Sequence, residues 1–168
     1  PIGIGLGRIK FTGATNGVIE QEGIQPIDIA QLSFEKSGSA TVTLNDSVSI
    51  STTAIFTSGY LFSSSTNKLK FLNNATNSGA SDASFVVGPV TKIGNDAFTF
   101  PIGKNNTYAP ISITAPAVST DAFRAQYFNT NAHDAGYDSS QYDPSLNHIS
   151  RKEYWLLDRT NGTATPKV

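Results

Sequence analysis

Ala40-Thr-Val-Thr-Leu44 and Ser47-Val-Ser-Ile-Ser51 decide the fold, because both alternate apolar and polar residues at period two and are rich in β-branched side chains. That period puts the apolar set on one face of a strand, whereas a helix would scatter it around the axis. Between such segments stand clusters of turn formers: Ser37-Gly-Ser39, Asn45-Asp46, Ser63-Ser-Ser-Thr-Asn67 and Asn73-Asn-Ala-Thr-Asn-Ser-Gly79. No ten-residue stretch carries helical spacing, so the expected class is all-β.

Outward from these strands the pattern recurs. Leu32-x-Phe34, Val48-x-Ile50 and Leu69-x-Phe71 follow one another at about 16 to 21 residues, the length of one coil of a β-solenoid. Val42-x-Leu44 and Tyr60-Leu61 make a second series. A single coil of two or three short strands cannot bury its inward residues, so coils stack and share a narrow core. A β-sandwich gives similar spacing and is the alternative.

At Phe85-Val-Val-Gly-Pro-Val90 the character changes: Ser and Asn thin out, and Pro89, Pro101, Pro110 and Pro116 follow. Each proline fixes φ and removes a ladder donor, which favours an edge or a junction. Ala97–Phe100, Ala109–Thr114, Ala122–Phe128 and Glu153–Leu157 then read as four strands with larger inward side chains. The expected organisation is a Ser/Thr/Asn-rich, β-solenoid-like region over 1–86 joined to a β-sandwich-like domain over 87–168. A new strand is expected to begin at Thr163-Ala-Thr-Pro-Lys-Val168, which would leave the second domain truncated. Gly3-Ile-Gly-Leu-Gly7 reads as an extended edge segment rather than a phosphate loop, since no strand precedes it and no helix follows.

Composition narrows the function. Twelve Lys and Arg against thirteen Asp and Glu leave a net charge of −1, so no basic field exists to collect phosphates and a nucleic-acid partner is not expected. Ser, Thr and Asn fill 50 of 168 positions while charged residues make up 15%, so uncharged polar groups carry solubility. No apolar run approaches the roughly 20 residues of a membrane-spanning helix. The absence of Cys excludes a disulfide scaffold and a thiol nucleophile, and its coincidence with the absence of Met fits an oxidising, extracellular setting. A chain opening at Pro1 reads as a mature piece or an excised fragment.

Three stretches carry a resemblance: Gly88-Pro-Val-Thr-Lys-Ile-Gly-Asn-Asp-Ala-Phe-Thr-Phe-Pro-Ile-Gly103, Thr120-Asp-Ala-Phe-Arg-Ala-Gln-Tyr127, and Asp143-Pro-Ser-Leu-Asn-His-Ile-Ser-Arg-Lys-Glu-Tyr-Trp-Leu-Leu-Asp-Arg159. Together they resemble a segment of very large secreted or cell-surface proteins of Bacteroidota. The likeness covers the C-terminal half and reaches the N-terminal half only in style. It implies an adhesin-like or structural passenger region, of the kind exported as cargo of the type IX secretion system, and it supplies no catalytic residues.

The residues themselves offer several candidate sites. Asp134, Asp138 and Asp143 stand in an Asn- and Gly-containing loop and could supply oxygens to calcium, although their spacing is not that of an EF-hand and such residues also build ordinary turns. His133 and His148 could join Asp134 or Asp143 around zinc, but no His-x-x-x-His repeat supports this, and His148 is expected to orient the Asp143-Pro144 turn. Tyr137, Tyr142 and Trp155 could stack on pyranose rings, with burial of Trp155 in the core as the alternative. Arg151, Glu153, Asp158 and Arg159 around Trp155 read as an Arg–Asp lattice locking a strand to its neighbour. Asp46-Ser47-Val48 matches the short acceptor pattern for O-glycosylation at Ser47 in Bacteroidota.

Enzymatic readings have less support. No Gly-x-Ser-x-Gly elbow holds a nucleophile, and Glu20, Glu22, Asp28 and Glu35 are scattered rather than paired. The expectation is a non-enzymatic, extracellular structural or adhesive module without a cofactor, associating with itself or with other surface proteins, and assembling into a fibre or repeated array. A carbohydrate-binding accessory module of a secreted polysaccharide-processing protein is the alternative.

Overall fold

Short alternating runs cut by turns return the chain repeatedly over itself, and the strands of each pass lie on those of the one before. The computed structural model describes residues 7–23, 27–138 and 140–168. A first coil holds β1 (Arg8–Gly13) and β2 (Gly17–Ile19), a second β3 (Ile27–Lys36) and β4 (Thr41–Leu44), and a third β5 (Val48–Ser58) and β6 (Tyr60–Phe62). A fourth holds β7 (Leu69–Phe71), β8 (Thr76–Ser78) and β9 (Val86–Val87), and a fifth begins with β10 (Val90–Ile93). Successive coils pair in parallel, β1-β3-β5-β7-β10 in the larger sheet and β2-β4-β6-β9 in the smaller. The protein is all-β and solenoid-like.

Register defines the columns of the core. Phe34 lies beside Phe11 and Phe56, and its ring stacks on theirs at centroid distances of 6.2 and 5.2 Å. Ile50 lies beside Ile29 on one side and Phe71 on the other. Leu32-x-Phe34 and Val48-x-Ile50 therefore belong to two columns, not to the single series expected from their spacing. The reason is length: β3 and β5, at ten and eleven residues, each cross both columns, with register shifts between Ile29 and Gln31 and between Phe34 and Glu35.

Two lysines are buried where a column meets a turn. Lys92 follows Ile50 and Phe71 in register, yet its side chain is 1% exposed. Its ammonium donates to Leu72 O at 2.9 Å and Ala75 O at 3.0 Å, pairs with Asp96 at 2.6 Å, and lies 5.1 Å from the centre of the Phe98 ring. Burial pushes its pKa down, against the pull of Asp96. Lys36, at the end of β3, likewise donates to two carbonyls of the preceding coil, Thr12 at the end of β1 and Thr15 in the turn after it. In both cases the ammonium donates to backbone carbonyls at the end of a strand and in the turn that follows it.

Position 86/87 falls inside β9, and the parallel ladder continues through β10. Only afterwards does polarity reverse. The remaining strands are β11 (Phe98–Phe100), β12 (Gly103–Lys104), β13 (Thr107–Tyr108), β14 (Ile111–Ile113), β15 (Ala122–Phe128) and β16 (Tyr154–Asn161). β15 pairs antiparallel with β10 and β16 antiparallel with β15, so they extend the large sheet to eight strands. β11 pairs with β14, and β12 with β13 through Asn105-Asn106, both at positive φ as a tight two-residue hairpin turn requires. One hydrophobic core runs from Ile19 to Tyr127.

The strand expected from Thr163 onward does not form: residues 164–168 are irregular, and Lys167 exchanges hydrogen bonds with Thr114 just past the end of β14. Except for Gly7, the Gly3–Gly7 segment lies outside the described residues. Among those residues no helix is long and apolar enough to cross a membrane.

The Lys92–Asp96 pair makes a direct comparison possible. Removing Asp96 leaves a buried ammonium without its counter-ion, so Asp96→Ala is expected to cost about 2–3 kcal/mol in urea unfolding. Glu35→Ala, which breaks the exposed Lys10–Glu35 pair, is expected to change little.

Candidate functional site

The β15–β16 pair carries different chemistry on its two faces, because register sets Tyr127 opposite Trp155 and Phe128 opposite Tyr154. On the core side Tyr127 is buried and its ring tilts against Trp155 at 5.2 Å. The Tyr127 hydroxyl donates to the Glu153 carboxylate and accepts from Asn129 Nδ2 at 3.1 Å. Burial raises the phenol pKa, and the Glu153 carboxylate raises it further. Trp155 donates its Nε1 hydrogen to Ala109 O at 2.9 Å and keeps 38% of its surface exposed.

The outer face is a short aromatic and charged stripe. Phe128 and Tyr154 stack nearly parallel at 4.6 Å, and Tyr137 meets Tyr154 edge-on at 5.4 Å. Two registers along, Arg124 pairs with Asp158 at 2.6 Å. The strand-to-strand lattice expected near Trp155 thus exists, but the arginine that engages Asp158 is Arg124. Arg159 donates instead to Thr163 O and Ala164 O, and Glu153 serves Tyr127. Arg124 was legible only once strand pairing was known, since it lies far away in sequence.

The three aromatic residues proposed for sugar stacking are separated. Tyr137 joins Tyr154 and Phe128 on the outer face, whereas Trp155 points to the other side of β16; Tyr142 is exposed in the connecting loop. Tyr154 and Phe128 were missed because alternation marks a face without saying which face is covered.

The acidic loop is organised by turns. Asp134 lies in the short 3-10 helix His133–Ala135; Asp138 accepts from Ser140 N and Oγ at 2.9 and 2.7 Å; Asp143 accepts from Ser145 N at 2.8 Å. These hydrogen bonds hold both Asp138 and Asp143 below the usual carboxylate range. Ser145, and not His148, thus orients the Asp143 turn. Among the described residues no three acidic, histidine or cysteine side chains come together as a metal-binding group. Ser47 Oγ donates to Thr66 O at 3.1 Å and accepts from Lys68 N at 3.0 Å, so a glycan there would remove the hydrogen given to Thr66 O. Glu20 accepts from Asn45 and Glu35 pairs with Lys10, while Glu22 and Asp28 are exposed.

The residues that distinguish the Gly88–Gly103 stretch have structural partners. Gly88, at φ +121°, brings its backbone so close to the preceding coil that a Cβ would lie 2.2 Å from Ser63 O. Ser63 Oγ donates to Pro89 O at 2.7 Å, and Asp96 accepts from Asn74 N at 3.0 Å besides holding Lys92. Compared with known families, characterised proteins and solved structures, the chain matches none.

Burial of Tyr127 has a pH signature. A raised folded value means that the neutral phenol stabilises the fold fully below the ordinary value of about 10 and loses that contribution as pH rises above it. Tyr108 and Tyr154 shift the same way, while the lowered Lys92 works in the opposite direction below about 10.5. Tyr127→Phe is therefore expected to flatten the alkaline fall in melting temperature relative to the parent chain, measured by circular dichroism across pH 8 to about 11.

Proposed function

We propose that the protein is a non-enzymatic, extracellular surface module that builds and spaces a structure rather than transforming a substrate. The observation that carries this reading is the uninterrupted parallel ladder from β1 to β10, completed by antiparallel β15 and β16. Stacked coils form a quasi-one-dimensional body in which each coil contacts its neighbours, a geometry suited to length and repetition. Repeated along a surface, such bodies set a spacing across which individually weak contacts add up to avidity. The resemblance of the C-terminal half to secreted Bacteroidota surface proteins supports an exported, adhesin-like setting, with the type IX route as the corresponding path.

A mechanical role requires resistance to load. Tethered at both ends and stretched one molecule at a time, the chain is expected to unfold in one cooperative step, because a single core joins its two halves. Coil-by-coil peeling at low force would overturn that role.

A second reading, contact with glycans, is favoured by the outer stripe of Phe128, Tyr154 and Tyr137 beside the Arg124–Asp158 pair. Aromatic faces supply apolar contact area and the ion pair supplies hydrogen-bonding groups for hydroxyls. Tyr137→Ala is expected to abolish binding on a glycan array with the fold intact; an array without any bound glycan would remove this reading.

A further inference from the structure

The eight-stranded sheet ends, among the described residues, in β1 at one edge and β16 at the other. β1 runs parallel with β3, β5, β7 and β10. β15 reverses that direction and β16 reverses it again, so β16 runs the same way as β1. Two reversals cancel. A second copy shifted along the sheet, with its strands pointing the same way, therefore presents its β1 to β16 in the parallel pairing that already joins coil to coil.

The side chains of the two edges are complementary in kind. On the core side of β1, Ile9 lies beside Leu32 and Phe11 beside Phe34, so both top columns of the core, and Ile9 is left 47% exposed. On the core side of β16 are Trp155, 38% exposed, Leu157, which packs partly buried against the same core, and at the far end Arg159, whose guanidinium is taken up by Thr163 O and Ala164 O. On the outer side β1 carries Arg8 and Lys10, the latter already paired with Glu35, and β16 carries Tyr154, Leu156 and Asp158, the last already paired with Arg124. Apolar would meet apolar over the core, and outside it Arg8 would come beside a β16 face whose one carboxylate, Asp158, is shared with Arg124. Neither strand contains proline, the residue that most simply blocks an edge.

We propose that a second copy of this chain docks head to tail, its β1 edge on β16, and that repetition continues the sheet from molecule to molecule. The contact joins two different surfaces by a shift that does not close on itself, so its product is an open filament rather than a dimer. This inference rests on the structural reading above and names its interface.

The test uses two edge variants and their mixture. Ile9→Lys places a charge in the seam at β1 and leaves β16 intact; Trp155→Lys does the reverse. Because Trp155 also bonds Ala109 O, Leu156→Lys, which adds a cation beside the basic face of β1, serves as a second block of β16. By light scattering and electron microscopy, the parent chain is expected to lengthen into filaments with concentration, and each variant to remain monomeric. An equimolar mixture of a β1 variant with a β16 variant is expected to stop at dimers, since only one pair of intact edges remains. A parent chain that stays monomeric to concentrations on the order of 1 mM would overturn the proposal, as would filaments from the single variants or a mixture without dimers. A monomer that nevertheless resists stretching would sink the head-to-tail contact alone and leave the structural reading standing.

Discussion

Everything in this structure depends on in-register stacking of parallel coils. One coil supplies only a few inward side chains and cannot dry its own interior, so each contributes one layer to columns that continue through its neighbours. The Phe11–Phe34–Phe56 stack and the Ile29–Ile50–Phe71 column show the two forms this takes, aromatic on aromatic and aliphatic leading to aromatic. A slip of one residue would turn every such side chain to the wrong face. Alternation in the sequence and the turns between strands therefore have to agree, and they do.

The same constraint explains the chemistry of the junction. Beside the last parallel strand, the carbonyls of Leu72 and Ala75 in the turn between β7 and β8 face Lys92, which supplies three donors at once to them and to Asp96. Such an ammonium is tolerable in the interior only with its hydrogen bonds and its counter-ion in place. Asp96 provides that counter-ion and also accepts from Asn74 N. These contacts tie the turn of the fourth coil to the end of β10.

Much of the architecture was legible beforehand. Val42 pairs beside Leu61, and the strands near Ala97, Ala109, Ala122 and Glu153 lie where alternation put them. The mixing of two columns into one series was not foreseeable from spacing, because a strand long enough to serve both, such as β5, looks like an ordinary alternating run until its partner is known. The site was harder still. Arg124 and Asp158 meet only through the antiparallel pairing of β15 and β16. Tyr137 reaches Tyr154 because the loop folds back across the sheet, which no local pattern records. Asp138 and Asp143 looked like ligands because turn residues and cation ligands are the same residue types, and their geometry is that of turns.

The central claim is that one parallel ladder continues through Lys92 and is closed by β15. Its most direct test is solution NMR of the isotope-labelled chain, reading contacts between strands and amide exchange at positions 50, 71, 92 and 123. The account predicts that Phe71 shows contacts to both Ile50 and Lys92, that Lys92 in turn shows contacts to Phe123, and that all four amides are strongly protected. Contacts that place Phe71 and Lys92 in separate sheets, or rapid exchange on the C-terminal side of residue 87, would contradict it.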